Sequence, residues 1–128
     1  MRIAGIGVDV VEIARITAAV GRHGDRFLQR VFTSGELAYC GRIKHPMGCY
    51  AARFAVKEAV AKAFGTGIGA ELGWLDIDIR RRSNGAPFVV LAGAGARYAA
   101  AHGISEVLVS LSHSENYAVA QAIALATK

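Results

Sequence analysis

Apolar residues along this chain follow two periods, and the change from one to the other marks its elements. Ile3 to Val8 alternate with a period of two and predict a strand. Ile6 and Val8 share one face, and Gly5, Gly7 and Asp9 share the other, with Asp9 at the strand's end. Ile13, Ile16, Thr17 and Val20 then take helical spacing, stopped near Gly21 and Gly24. Asp25 caps a short helix that runs through Val31, and Thr33-Ser34-Gly35-Glu36 fits a capping box that opens a helix to about Arg42. His45-Pro46 breaks it, and a longer helix follows from about Gly48 to Phe64.

The second half reads mostly as strand. Leu75, Ile77 and Ile79 alternate with Asp76, Asp78 and Arg80, the pattern of a half-buried strand. Asn84-Gly85 is a hairpin turn signal, with Phe88 to Leu91 returning antiparallel. Ala94 to Ala101 reads as a helix bounded by Gly93, Gly95 and Gly103, and Val107 to Leu111 with Tyr117 to Ile123 make a last strand pair. Helices first and hairpins later predict an α+β fold, a mostly antiparallel sheet packed on helices, in one domain over residues 1–128.

Composition narrows the class. Apolar residues make up 53% and charged residues 20% of the 128 positions, which excludes a disordered chain. That apolar content, rich in Ala, leaves surface for a subunit interface and predicts a homo-oligomer. A net charge of +5 favours an acidic partner without choosing among nucleic acid, nucleotide, anionic membrane and protein. The N-terminus lacks a signal-peptide layout and no apolar run reaches the roughly 18 residues of a membrane span, so a cytoplasmic, non-membrane protein is expected. Cys40 and Cys49 have no CxxC spacing and are expected as free thiols.

The stretch Ala51 to Gly67 carries the most chemistry. Its Ala-, Phe- and Val-rich helix bears only Arg53, Lys57, Glu58 and Lys62 as charges, and buried charges are costly unless paired. Residues four apart share a face, so Arg53 lies with Lys57, and Phe54 with Glu58 and Lys62. One carboxylate among three cations suits a metal and a polyanion. Asp9 and Glu58 together would hold a hard cation such as Mg2+, which takes one or two carboxylates and leaves its other positions to water and phosphate. Lys62 would then stabilise a leaving phosphate oxygen, Arg53 and Lys57 would bind the same or an outlying phosphate, and Gly65-Thr66-Gly67 would offer backbone N–H groups to an anion. The plain alternatives are a Glu58–Lys62 surface pair worth roughly 0.2–0.5 kcal/mol, a helix C-cap at Gly65, and Asp9 as the N-cap of a helix starting near Val10.

Other signals weigh less. Gly93-Ala94-Gly95 imitates a dinucleotide-binding turn, but Tyr98 occupies the third glycine position. His113 lies between two serines on a strand, where neighbours point to opposite faces, and no GxSxG elbow accompanies it. Arg15, Arg22, Arg26 and Arg30 surround Phe27 and Leu28, either as a solvated face or as a dock for an acidic helical partner. Arg80-Arg81-Arg82 at the hairpin is most simply solvated.

Gly5-Ile6-Gly7-Val8-Asp9, Arg53-Phe54-Ala55-Val56-Lys57-Glu58-Ala59 with Lys62, Phe64-Gly65-Thr66-Gly67, Asn84-Gly85-Ala86-Pro87 and Ser110-Leu111-Ser112-His113-Ser114 occur in one order. Together they closely resemble the holo-(acyl-carrier-protein) synthases, small bacterial 4'-phosphopantetheinyl transferases, over essentially the whole chain. The resemblance implies that family's fold, a homotrimer with active sites at the subunit interfaces, and transfer of phosphopantetheine from coenzyme A to a serine of acyl carrier protein. It implies Asp9 and Glu58 as magnesium ligands and Lys62 as the catalytic-site lysine. Arg53, Asn84, Pro87 and His113 match positions lining the coenzyme A site, some from the neighbouring subunit, with Lys44 near the 3'-phosphate. Arg15, Arg26 and Phe27 fall where the family docks its acidic carrier protein, a partner that accounts for the net charge without nucleic acid. Glu58, through a water, is the expected base for the serine, with Asp9 its rival. A Mg2+-dependent nucleotide phosphohydrolase and a basic nucleic-acid-binding module remain the competing classes. The module would need aromatics among its basic strand residues, which strands 75–79 and 107–111 lack.

Overall fold

The computed structural model describes residues 1–127. Strand β1 (Arg2–Glu12) leads into helices α1 (Ile13–His23), α2 (Asp25–Val31), α3 (Ser34–Gly41) and α4 (Met47–Phe64). A single 3-10 turn, Trp74–Asp76, then precedes β2 (Ile77–Arg81), β3 (Pro87–Leu91), α5 (Gly93–Ala101), β4 (Ile104–His113) and β5 (Tyr117–Ala126). The strands form two antiparallel sheets, one in the order β1-β5-β4 and one the β2–β3 hairpin.

The larger sheet is built to receive a helix at short range. On β5, Ala118, Ala120, Ala122, Ala124 and Ala126 alternate with more exposed residues and are all buried. Opposite them on β1 lie Val11, Asp9 and Gly7 in register with Ala118, Ala120 and Ala122. Across this small-residue floor runs α4, with thirteen of its eighteen residues buried, so it is the core helix of the fold. A Cβ on Gly5 would stand 1.9 Å from the Ala63 carbonyl oxygen, and one on Gly7 1.9 Å from that of Ala59. The two glycines therefore admit a backbone, that of α4, against β1.

Several expectations need correction. β1 continues three residues past Asp9 and the N-cap of α1 is Glu12, so Asp9 is a strand residue and caps nothing. Leu75 lies in the 3-10 turn, not in a strand, because the Asp76 carboxylate accepts from the N–H groups of Gly73 and Gly95 and curls the chain around itself. That carboxylate sits at the N-terminus of α5, where a dinucleotide turn would place phosphate. Cys40 and Cys49, expected as free thiols, form a disulfide, since the short turn between α3 and α4 brings the end of one against the first helical turn of the other. The capping box at Thr33 and Glu36 is present as expected.

Candidate active site

Asp9 points from the inner face of β1 toward α4, and on α4 the residues one turn apart, Phe54, Glu58 and Lys62, face it. Lys62 Nζ donates to the Val8 carbonyl at 2.9 Å and to Asp9 Oδ1 at 3.1 Å. The expected alternative partner of Lys62, Glu58, makes no ion pair among the described residues. Burial pushes the Glu58 carboxyl above its ordinary range and the negative charge of Asp9 adds to this, with Lys62 acting in the opposite direction. Both carboxylates line one groove of about 540 Å3, bounded by Phe54 and by Arg15, Arg22 and Phe27 from the first two helices. Phe54 is held flat against Trp74, with ring centroids 4.9 Å apart.

Asp9 and Glu58, with the charge of Asp9 raising the proton affinity of Glu58, form a pair of carboxylates in a groove rimmed by arginine. No cluster of three or more His, Cys, Asp or Glu residues suited to a metal exists among the described residues. A pair of carboxylates fits Mg2+, which accepts few protein ligands when phosphate oxygens supply the rest.

The other face of α4 has a different fate from the one its sequence suggests. Arg53 is buried, with its guanidinium 4.6 Å from the centre of the Tyr39 ring and Nη1 donating to the Cys49 carbonyl. Arg42 and Arg81 approach the same ring, at 5.9 and 5.5 Å. These residues line a second groove of about 440 Å3, whose one carboxylate, Asp78, is already taken by Arg80 Nε and Thr33 Oγ1. Burial and then the charge of Arg81 push the Arg53 pKa down, with Tyr39 and Glu36 acting in the opposite direction. Arg42 and Arg81 were not legible as site residues, because the ring that joins them to Arg53 lies on α3, which Arg42 follows directly, while Arg81 is on β2 and Arg53 on α4.

Lys57 is a correction. It is fully buried and its ammonium is held by Glu36, the Trp74 carbonyl and the Ile77 carbonyl, so it has no donor left for a phosphate in this subunit. Gly65 is another. It is a left-handed C-cap with φ 78°, and its N–H donates to the carbonyls of Ala61 and Lys62, while the Gly67 N–H also returns to Ala61. The glycine turn closes the helix, and those amides are not free for an anion. Asn84 sits in the hairpin turn, where its Oδ1 accepts from the Ala86 N–H, and Pro87 begins β3. Lys44 is exposed in the turn before α4. His113 ends β4 with its ring against Gly48, where an added Cβ would come within 2.8 Å of His113 Cε1. Gly48 and Glu58 are separated by about 15 Å along the helix. Asp9, Glu58 and Lys62 thus converge within the subunit, Arg53 lines the adjoining basic groove, and Asn84, Pro87, Lys44 and His113 line neither.

The sequence profile of the 4'-phosphopantetheinyl transferase superfamily matches residues 5–122, a span that contains every one of these positions. The chain belongs to this family. It is 48% identical over 126 residues to a holo-(acyl-carrier-protein) synthase of Chlamydia pneumoniae, covering 98% of this chain and all of that one. Over 123 residues it is 50% identical to the holo-(acyl-carrier-protein) synthase of Desulforudis audaxviator, covering 96% and 93% of the two chains. Among solved transferases of the family, the Neisseria meningitidis synthase superposes with a TM-score of 0.91 at 35% identity, over 97% of this chain and 99% of that one. The Helicobacter pylori synthase, in complex with coenzyme A, superposes with a TM-score of 0.84 at 35% identity, over 94% and 99%. The α+β fold of this phosphopantetheinyl transferase, with its antiparallel sheets and central helix, is therefore the family's fold.

Proposed function

We infer that this transferase moves the 4'-phosphopantetheine arm of coenzyme A to a serine of apo acyl carrier protein and releases adenosine 3',5'-bisphosphate. The observation that supports it is the pairing of Asp9 and Glu58 in one groove, with Lys62 bonded to Asp9 at its edge and a guanidinium-lined groove on the other face of the same helix. In the reaction the serine oxygen forms a bond to the β-phosphorus of coenzyme A, the bond from that phosphorus to the bridging oxygen breaks, and the serine proton leaves. Such a transfer asks mainly for alignment and charge stabilisation. Glu58, with its raised proton affinity, receives the proton through a water, while Asp9 pairs with Lys62. Lys62 offsets the charge that builds on the departing phosphate. Asp9 and Glu58 would hold Mg2+, which when bound supplies charge neutralisation across the diphosphate. Arg53, joined by Arg42 and Arg81, receives an outlying phosphate of the coenzyme.

Asn84, Pro87, Lys44 and His113 serve the coenzyme from a neighbouring copy in a homotrimer. The outer face of the larger sheet supports this assembly. It exposes Ile6, Val8 and Val10 on β1 beside Val119 and Tyr117 on β5 and Leu108 on β4, an apolar surface that water leaves uncovered at a cost. The acidic carrier protein docks on the basic rim of the catalytic groove. Arg15 and Arg22 line it, Arg26 extends the charge outside it, and Phe27, only 8% exposed, forms its apolar floor and does not project as an anchor. No helix among the described residues is long and apolar enough to cross a membrane.

The test is to incubate the protein with coenzyme A, Mg2+ and apo carrier protein and weigh the carrier. A mass increase of one phosphopantetheine supports the reading, and its loss in Glu58→Gln with Mg2+ binding retained supports the proton role. Phosphate release without that increase would point to a phosphohydrolase, and neither event, with tight nucleic-acid binding, to the module. Near-normal turnover in Glu58→Gln would remove the assigned base.

A further inference from the structure

Among the described residues, the charged pair formed by Glu36 and Lys57 is the one strongly polar feature of the core that the chemistry above leaves unused. Both side chains are fully buried, with Lys57 Nζ 2.9 Å from Glu36 Oε1. The three protons of the ammonium have three acceptors, namely Glu36, the Trp74 carbonyl at 2.8 Å and the Ile77 carbonyl at 2.8 Å. Glu36 in turn accepts from the Thr33 N–H through Oε1 and from the Ile79 N–H through Oε2. No buried side-chain nitrogen or oxygen is left without a partner among the described residues.

Each partner belongs to a different part of the fold. Lys57 rides on α4 beside Glu58, Glu36 and Thr33 open α3, Trp74 belongs to the 3-10 turn, and Ile77 and Ile79 are on β2. Trp74 backs Phe54 in the catalytic groove, and β2 leads through the turn at Asn84 to Pro87. The β2–β3 hairpin is not hydrogen-bonded into the larger sheet, and a lone two-stranded hairpin is marginal in water. Its buried residues Ile77 and Ile79 hold it down, but apolar contact has no direction and permits sliding. The ion pair grips two backbone groups of β2, the Ile77 carbonyl and the Ile79 N–H, and these fix the register of the hairpin against α4. Replacing such a buried pair by apolar residues is often neutral or stabilising, so stability alone is a weak reason for its presence.

We propose that Glu36 and Lys57 are positioning residues that hold the β2–β3 hairpin, with Asn84 and Pro87, in fixed register against the helix that carries Arg53 and Glu58. The pair touches no substrate. It sets where the hairpin stands, and through Trp74 how Phe54 lies beside the two carboxylates. The inference rests on the reading of Asn84 and Pro87 as coenzyme contacts for its effect on coenzyme, and on geometry alone for its effect on the hairpin.

Three variants test it in the full chain: Glu36→Gln, Lys57→Met, and the two combined, which leaves no unpaired buried charge. The readouts are thermal stability, coenzyme A affinity by titration calorimetry, the KM and kcat of transfer, and amide exchange across residues 77–91. The double variant is expected to melt near the wild type, yet bind coenzyme A roughly tenfold more weakly, as misplacement of contacts predicts, with KM rising more than kcat falls. Glu36→Gln alone, which keeps the lysine, is expected to show the same weakening and faster exchange in the hairpin. Should Lys57→Met not fold, Glu36→Gln and the double variant decide. A double variant with wild-type affinity and slow hairpin exchange would overturn the proposal, as would normal affinity in Glu36→Gln. If the wild-type protein bound no coenzyme A, the functional reading would fail by itself. Hairpin exchange would then decide this one, fast exchange in the double variant supporting it and slow exchange overturning it.

Discussion

Lys57 and Lys62 ride on one helix and have opposite fates, which shows how far single residues can be read from a sequence. The four-residue rule separates them correctly, Lys57 with Arg53 and Lys62 with Glu58 and Phe54. It cannot say that the first face turns toward Glu36, because that carboxylate lies in another helix and looks like half of a capping box. Glu58 and Asp9 were legible, since a carboxylate in an alanine-rich helix and another beside strand glycines are both expensive to keep without use. At this scale Lys62→Met is expected to lower kcat about 100-fold, the usual loss for a group that stabilises developing charge, with coenzyme A affinity changed far less. Single-turnover kinetics would check it. Tyr50 gives a second prediction. Burial, then the charge of Asp25, raises its phenol above the ordinary 10.0, so the folded state keeps a proton that the unfolded chain loses. Stability is thus fully present below about pH 10 and falls as pH climbs through the raised value. Urea midpoints measured from pH 9 upward should fall less steeply in Tyr50→Phe than in the wild type.

Among elements, those whose signal is local came out of the sequence almost intact. The helix α2 and the turn at Asn84-Gly85 lie where spacing and turn chemistry put them, although Asp25 begins α2 and does not cap it, the N-cap being Gly24. What failed has two causes. Leu75 left its expected strand because Asp76 finds a distant partner, the N–H of Gly95, whereas the turn at Gly65 spends its amides locally, on α4 itself. Glycines at positions 5 and 7 leave room for either a ligand or another backbone, and the packing of α4 decides for the backbone. Gly7→Ala is accordingly expected to cost about 1–3 kcal/mol, the range for forcing atoms into a filled core, and to lower kcat as well. Urea melts and turnover on the same preparation would show both. The tie between α3 and α4 at Cys40 and Cys49 should contribute stability in proportion to the short loop it closes, about 2–3 kcal/mol at most. Melting with and without a thiol reductant measures it.

On the scale of the whole molecule, the +5 charge and the uncovered apolar sheet each point outward. A basic groove rim and an acidic carrier attract through solvent, where salt screens them over about 8–10 Å. Carrier-protein affinity should therefore fall as salt rises, and more than it falls on Arg15→Ala at high salt. Salt-insensitive binding would rule out the docking surface. The sheet face makes the assembly testable too. Val8→Glu should yield monomers by sedimentation, retain its helical circular dichroism, and lose coenzyme A affinity because the neighbouring copy's contacts are gone. An active Val8→Glu monomer would defeat the shared site. A trimer, as distinct from some other oligomer, is expected from the resemblance alone, since an alanine-rich composition announces spare apolar surface without its symmetry.

The seat of α4 on β1 has a further meaning. Where Gly5 and Gly7 meet the carbonyls of Ala63 and Ala59, the helix rests on two notches. Two notches set a gauge: one alone would let the helix swivel, but a pair fixes both its height above the strand and its rotation. Glu58 and Lys62 flank those carbonyls in sequence, and Asp9 follows the second notch by two residues. The spacing of the three groups proposed to react is thus machined into the main chain, before any side chain chooses a rotamer. Positions that carry no side chain at all are the calibration of this enzyme, and the most intolerant sites in it to an added methyl group should be two that never touch a substrate.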